Sequence, residues 1–203
     1  MAGNVDNLEV EVKFFVPDLT VLRERLLALG ANVVRERVFE RNVRFDTEDE
    51  ALLAQWKLLR LREDTAVTVT FKGDPQQAVE SEARVREELE VEVSDFDTMA
   101  LIFTRLGFAP VQTYEKYRET FAWGQVEVVL DELPYGNFVE LEGDEADLKT
   151  AVSQLALDWN KRILANYLGL MEQLKAWHNL PFRDLTFANF VDKSITIADV
   201  LNH

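Results

Sequence analysis

The chain has 203 residues, 47% hydrophobic and 29% charged, with 8 Gly, 5 Pro and no low-complexity run. This composition predicts a soluble globular protein able to bury a sizeable core, most simply in one domain. A formal net charge of −15 opposes generic binding to nucleic acid or to an anionic membrane, which needs a surplus of Lys and Arg. Locally concentrated positive charge can still hold an anionic ligand. No cysteine is present, so disulfides and thiolate metal ligands are excluded, in keeping with a reducing compartment. His178 and His203 are the only histidines, which argues against a His-based zinc site or a Ser-His-Asp triad. The start, "MAGNVDNLEVEVK", lacks the basic end and apolar run of a signal peptide, and nowhere do 18 apolar residues stand together. A cytoplasmic location is expected.

Residues 8–15 alternate polar and apolar, the period of a strand. "PDLTVLRERLLALGA" follows, with Leu19, Leu22, Leu26 and Leu29 at helical spacing, Asp18 as N-cap and Gly30 as C-cap. "VVRERVFERNVRFDT" reads as a strand, then a short charged turn, "KLLRLRED" and the β-branched "AVTVTFKG". After a polar loop comes "ARVREELEVEVS", and then a helix over "SDFDTMALIFTRLGF", capped by Ser94 or Asp95 and stopped at Gly107. "VQTYEKYRETFAW", "QVEVVLDEL" and "NFVELEG" are three more strands. "EADLKTAVSQLALD" and "NKRILANYLGLMEQLKAWHNL" are helix-like as far as Pro181, and a tail of undefined structure ends the chain. Each half therefore opens on alternating glutamates and a helix ending in Leu-Gly, which suggests an internal structural repeat.

In a strand, residues two apart share a face. The charged sets are Glu9, Glu11 and Lys13; Arg60 and Arg62; Arg86, Glu88, Glu90 and Glu92; Lys116 and Arg118; Glu140 and Glu142. Lys72 shares a face with Thr68 and Thr70, and Asp131 with Glu127. Val10, Val12, Leu61, Leu89, Val91, Tyr117 and Leu141 fall between them. Like charges two apart on one face repel, and an ion between them relieves the repulsion. A closed antiparallel barrel suits both faces, with the apolar face under helices and the charged face lining a wet interior. Carboxylates from Glu-x-Glu strands suit Mg²⁺ or Mn²⁺, and Arg and Lys pairs suit phosphate oxygens. A compact polyphosphate chelating a divalent ion matches both.

These residues resemble the CYTH, or triphosphate tunnel metalloenzyme, family. Its hallmark Glu-x-Glu-x-Lys is present as "EVEVK" (Glu9, Glu11, Lys13), followed in order by "NVRFDT", "LRLR", "TFKG", "REELE", "YEKYR" and "VVLDELPYGNFVELEG". The resemblance covers roughly residues 8–168 and implies an α+β fold, an eight-stranded antiparallel β-tunnel with flanking helices. It implies metal ligands at Glu9, Glu11, Glu140 and Glu142, with Glu88 and Glu90 as further candidates and Asp131 as a tunnel residue beside a metal or a basic side chain. Lys13, Arg60, Arg62, Lys72, Lys116 and Arg118 would hold phosphates; Arg86 is a further candidate there, and Glu92 an acidic neighbour whose pattern varies. The tunnel domain is expected over 1–170, and a helical extension packed on it over 171–203. "AQWKL" stands where relatives often carry a Gly-containing turn.

The expected activity is hydrolysis of a triphosphate (inorganic tripolyphosphate, thiamine triphosphate or a nucleoside triphosphate) with Mg²⁺ or Mn²⁺, and with Glu9, Glu11 and Lys13 as the catalytic set. A class IV adenylyl cyclase making cyclic AMP is the alternative, and a non-catalytic polyphosphate binder a second. The expected partner is a small triphosphate, with neither nucleic acid nor membrane, and a homodimer is compatible with the helical tail. Trp56, Trp123, Trp159 and Trp177 read as packing, Tyr114, Tyr117 and Tyr135 as wall residues, and Lys161 and Arg162 as a solvated helix face.

Overall fold

A computed structural model describes residues 7–201. His203 and the outermost residues of the expected segments 1–170 and 171–203 lie outside the described residues. The strands are β1 (Leu8–Phe15), β2 (Asn32–Asp46), β3 (Leu58–Glu63), β4 (Val67–Gly73), β5 (Arg84–Val93), β6 (Ala109–Trp123), β7 (Val126–Leu133) and β8 (Gly136–Glu142). All pairings are antiparallel, and the order β1-β5-β4-β3-β2-β6-β7-β8 closes through β8 back onto β1. Closure leaves no free sheet edge, the usual weak point of an antiparallel sheet.

The suspected repeat is present in the topology. Exchanging β1, β2, β3 and β4 for β5, β6, β7 and β8 turns every strand neighbour pair into another pair of the same ring. The two joints between halves, β1 with β5 and β2 with β6, map onto themselves. Strands β2 and β6 are each 15 residues long and pair with three register shifts. Such bulges sharpen the local twist and let long strands curl around a barrel.

In each half a helix bridges the first two strands and covers the outer face: α1 (Leu19–Ala28) and α3 (Phe96–Arg105), with the short α2 (Ala51–Ala54) between them in the chain. Asp18 accepts the amide of Thr20 at 2.8 Å and Asp95 that of Thr98 at 2.7 Å, satisfying amides that a helix start leaves without partners. Gly30 and Gly107, at φ +85° and +94°, supply the left-handed exits that a Cβ would strain. Leu22 and Leu26 of α1 meet Val12, Phe14, Val139 and Leu141 from the backs of β1 and β8, together with Leu148, Ala151 and Val152 of α4 (Glu145–Gln154). Phe103 of α3 packs on Val43, Phe45 and Leu61. Each fully buried Leu contributes about 1.5–3 kcal/mol. The apolar alternates Val12, Leu61 and Leu141 thus face outward beneath helices, while Leu89 and Val91 of β5 face outward and are exposed.

The C-terminal quarter differs from expectation in one stretch. Helix α5 covers Tyr167–His178, but "NKRILAN" before it is the end of a 3-10 turn at Trp159–Lys161 and then non-helical chain. Pairing of β1 with β5 ends at Glu11↔Arg84. Beyond it the freed edge of β1 is taken by Ile163, whose amide donates to the Lys13 carbonyl at 2.7 Å. Asn166 then caps α5 by accepting from Gly169 N at 2.7 Å. A strand edge competing for the backbone has overridden local helix propensity. Leu185 does the same for β6 where β7 departs, bridging to Tyr114, ahead of α6 (Phe187–Phe190) and α7 (Ala198–Leu201). Among the described residues no helix is long and apolar enough to cross a membrane.

Candidate functional site

The inward faces of the strands enclose a cavity of about 370 Å³. Of the residues singled out from the sequence, Glu9, Glu11, Lys13, Arg60, Arg62, Lys72, Arg86, Glu88, Glu90, Lys116, Arg118, Glu140 and Glu142 all line it. Period-2 geometry is the cause: Glu11, Lys13, Glu140 and Glu142 lie on one face of the β1–β8 pair, in the register Glu11↔Glu142 and Lys13↔Glu140.

One end of the channel is closed. Tyr114 and Phe138, two residues before Lys116 and Glu140 and so on the same inner faces, are buried against Tyr167, Leu170, Met171 and Leu174 of α5. Just inside this plug stands a cationic group. Lys13 is 2% exposed and its Nζ lies 2.8 Å from Glu140 Oε1. Arg118 donates through Nε to Asp131 at 2.7 Å and through a terminal nitrogen to Glu140 at 2.6 Å. Lys116 donates to Asp131 at 3.0 Å. Burial pulls the Lys13 ammonium down, yet Glu140 and Glu11 outweigh it and hold its pKa above the usual value. Burial likewise pushes Glu140 up, but Lys13, Arg118 and Lys116 bring it well below the carboxylate range. Lys13, Arg118 and Glu140 are therefore charged at neutral pH.

A second sector is acidic and unbalanced. Lys72 Nζ sits between Glu9, at 2.6 and 2.8 Å from its two oxygens, and Glu88 at 3.0 Å. Glu11 accepts from Arg84 at 3.0 Å. Glu142 faces Glu127 across the β7–β8 pair and Glu11 across the β1–β8 pair. Burial, with Glu11 and Glu88 nearby, raises Glu9 from 4.5 to about 8 against the pull of Lys72. Burial, with Glu127 and Glu88, raises Glu142 to about 7. Glu11 goes the other way, since Lys13, Lys72 and Arg84 outweigh its burial and its repulsion by Glu140.

Two groups expected at the ligand have protein partners. Asp131 is 0% exposed, does not line the cavity, and accepts from Lys116, Arg118 and the Tyr167 hydroxyl. Of the two neighbours expected for it, a metal or a basic side chain, these contacts match the second. Arg86 lines the cavity and also donates to the carbonyls of Gly73 and Trp56, tying the loop at "AQWKL" to β4 and β5. Arg60 bonds Thr70, Tyr114 and Glu90, and Glu92 is an exposed residue outside the cavity lining.

Sequence reasoning missed Arg84, Glu40 and Tyr167. Arg84 and Glu40 were legible, as the period-2 neighbours of Arg86 and of "NVRFD". Glu40 is wholly buried, with Lys116 at 3.6 Å. Burial pushes it up, but Lys116, Arg118, Arg62 and Arg60 hold it at about 2. Tyr167 lies on a helix outside the strand pattern and carried no such signal.

The fit of a divalent ion rests on the acidic sector. Among the described residues no three acids already stand at coordinating separation, because Lys72 and Arg84 occupy the ground between them. Glu9 and Glu142, both pushed toward neutrality by burial and by neighbouring carboxylates, are nonetheless groups that a divalent cation would let ionise. Hard oxygen donors and an ammonium standing in for a cation suit Mg²⁺ or Mn²⁺.

Comparison with known proteins agrees with this architecture. A Methanocaldococcus jannaschii protein provisionally named an adenylate cyclase is 32% identical over 143 residues, 70% of this chain and 79% of its own. A Vibrio parahaemolyticus structure carrying the same provisional name superposes with a TM-score of 0.69 at 22% identity, covering 79% of this chain and 95% of that one. A Hippeastrum protein, provisionally named an adenylyl cyclase and described as revealing a dominant triphosphatase activity, gives 0.53 at 16%, over 78% and 91%. Residues 7–165 match the CYTH domain, and the chain belongs to that family.

Proposed function

We propose that the tunnel binds a triphosphate together with a divalent cation and hydrolyses it. The observation that carries this reading is the division of one enclosed cavity into a closed cationic end and a carboxylate sector with too little positive charge. Lys13, Lys116, Arg118 and Arg60 offer ammonium and guanidinium donors to phosphoryl oxygens, with Arg able to grip two at once. Asp131, Glu140 and Glu40 hold those cations in place. Glu9, Glu11, Glu88 and Glu142 would hold the cation, which when bound supplies charge neutralisation and orients phosphate and water. Lys72, bonded to Glu9 and Glu88, would be available to phosphate where those carboxylates hold the ion. Charge on the phosphoryl oxygens in the transition state then meets preorganised donors in a site shielded from bulk water.

Cyclisation of ATP is the second reading, favoured by the name of the Methanocaldococcus jannaschii relative. Incubation with tripolyphosphate, ATP and thiamine triphosphate, each with Mg²⁺, Mn²⁺ or EDTA, separates the two. Metal-dependent phosphate release supports hydrolysis and cyclic AMP with pyrophosphate supports cyclisation. Neither product, with tight tripolyphosphate binding, indicates a binder.

A further inference from the structure

Tyr167 is the first residue of α5 and lies just beyond the stretch 7–165 that matches the family. It is buried, lines the cavity, and belongs to the plug that closes the channel. Its hydroxyl donates to Asp131 Oδ2 at 2.8 Å. Its ring centre lies 4.3 Å from Lys13 Nζ and 5.3 Å from Lys116 Nζ. One side chain from the C-terminal segment therefore touches three members of the cationic end.

Ammonium groups deep in a cavity need more than counter-charge. Lys side chains are flexible point charges, and here Lys13 is paired with Glu140 and Lys116 with Asp131, contacts that hold them by neutralising them. A ring face attracts a cation through its quadrupole without neutralising it, and it cannot donate a proton to the Lys or compete for phosphate. The backbone clamps the ring: Ile163 is bonded to Lys13 and Asn166 caps the helix beneath it. We propose that Tyr167 is a positioning residue of the phosphate site. It sets the places of Lys13 and Lys116 and buttresses Asp131, so that the C-terminal segment completes the site as well as closing it. This rests on the reading of the tunnel as a triphosphate site.

The test measures binding of inorganic tripolyphosphate to the full chain by titration calorimetry in EDTA, beside thermal unfolding. Y167L removes both ring and hydroxyl and is expected to weaken binding at least tenfold. Y167F keeps the ring and is expected to recover most of that loss. L170A, which opens the plug behind the ring, is expected to lower the melting temperature while keeping affinity within about twofold. Equal tripolyphosphate affinity in Y167L and wild type overturns the role given to Tyr167, as does a loss in L170A as large as in Y167L. A wild-type protein that ignores tripolyphosphate overturns instead the reading of the tunnel on which the proposal stands.

Discussion

Replacing Glu9 by Gln should make the metal-free protein more stable at alkaline pH, which is unusual for an ion-paired tunnel residue. Glu9 is held at about 8 against an ordinary 4.5, by burial first and then by Glu11, with Glu88 adding to the repulsion and Lys72 opposing it. Between those two values the folded protein keeps a proton that the unfolded chain has released. The stabilisation is complete below pH 4.5 and is lost as the pH rises through 8. At about 1.4 kcal/mol per pH unit, the gap caps the loss at about 5 kcal/mol. Titration shared with neighbouring carboxylates brings the expected figure to about 2–4 kcal/mol. Gln mimics the protonated form at every pH. Urea unfolding in EDTA should therefore show wild type and E9Q within about 1 kcal/mol at pH 5, with E9Q ahead by about 2–4 kcal/mol at pH 9. Saturating Mn²⁺ should close the gap by stabilising only the wild type. Parallel curves for the two proteins from pH 5 to 9 would refute the argument that burial and carboxylate repulsion dominate at Glu9.

The same proton links metal binding to pH: Mn²⁺ affinity should rise from pH 6 to 9 with proton release visible in calorimetry, and E9Q should flatten the rise. Lys13→Ala and Arg118→Ala should each lower kcat/KM on the best triphosphate about 10²–10³-fold, with circular dichroism unchanged; wild-type turnover in either removes the catalytic scheme. Arg86→Ala and Arg60→Ala should separate by symptom in unfolding and kinetic measurements. The first frees the Gly73 and Trp56 carbonyls and costs about 1–3 kcal/mol of stability, while the second chiefly raises KM.

Most of the barrel could be read from one periodicity. Alternation gave the strands of both halves and the inward set from Glu9 to Glu142, because a closed sheet with helices outside leaves charged alternates only one place to go. Asp18, Asp95, Gly30 and Gly107 announced their helices by cap chemistry that acts over a few residues. Long-range competition could not be read. "NKRILAN" has helical spacing, yet its fate is set by an edge of β1 that β5 vacates more than seventy residues earlier in the chain. A basic neighbour for Asp131 was legible from its face, but the carbonyl partners of Arg86 were hidden for the same reason. Residue type and face were right, but whether a side chain is free for a ligand depends on which donors and carbonyls surround it.

The exchange of halves that maps the strand order onto itself also explains why the charge is divided as it is. A tunnel of two equivalent halves brings β1 and β5 side by side, with Glu9 opposite Arg86 and Glu11 opposite Arg84, and Lys72 of β4 joins Glu9 to Glu88 in the same sector. The other self-paired joint brings β2 to β6 and places Glu40 opposite Lys116. Symmetry alone would leave the two ends of the channel alike. The C-terminal segment breaks it, filling the wall beside Lys13 and Tyr114 and closing one end with apolar side chains. Burial then strengthens every charge interaction nearby, which is why Glu140, paired with Lys13 and Arg118, is driven well below the carboxylate range while Glu9 and Glu142 climb toward neutrality. The lopsided charge that a chelated triphosphate would match arises from an asymmetric closure of a near-symmetric barrel.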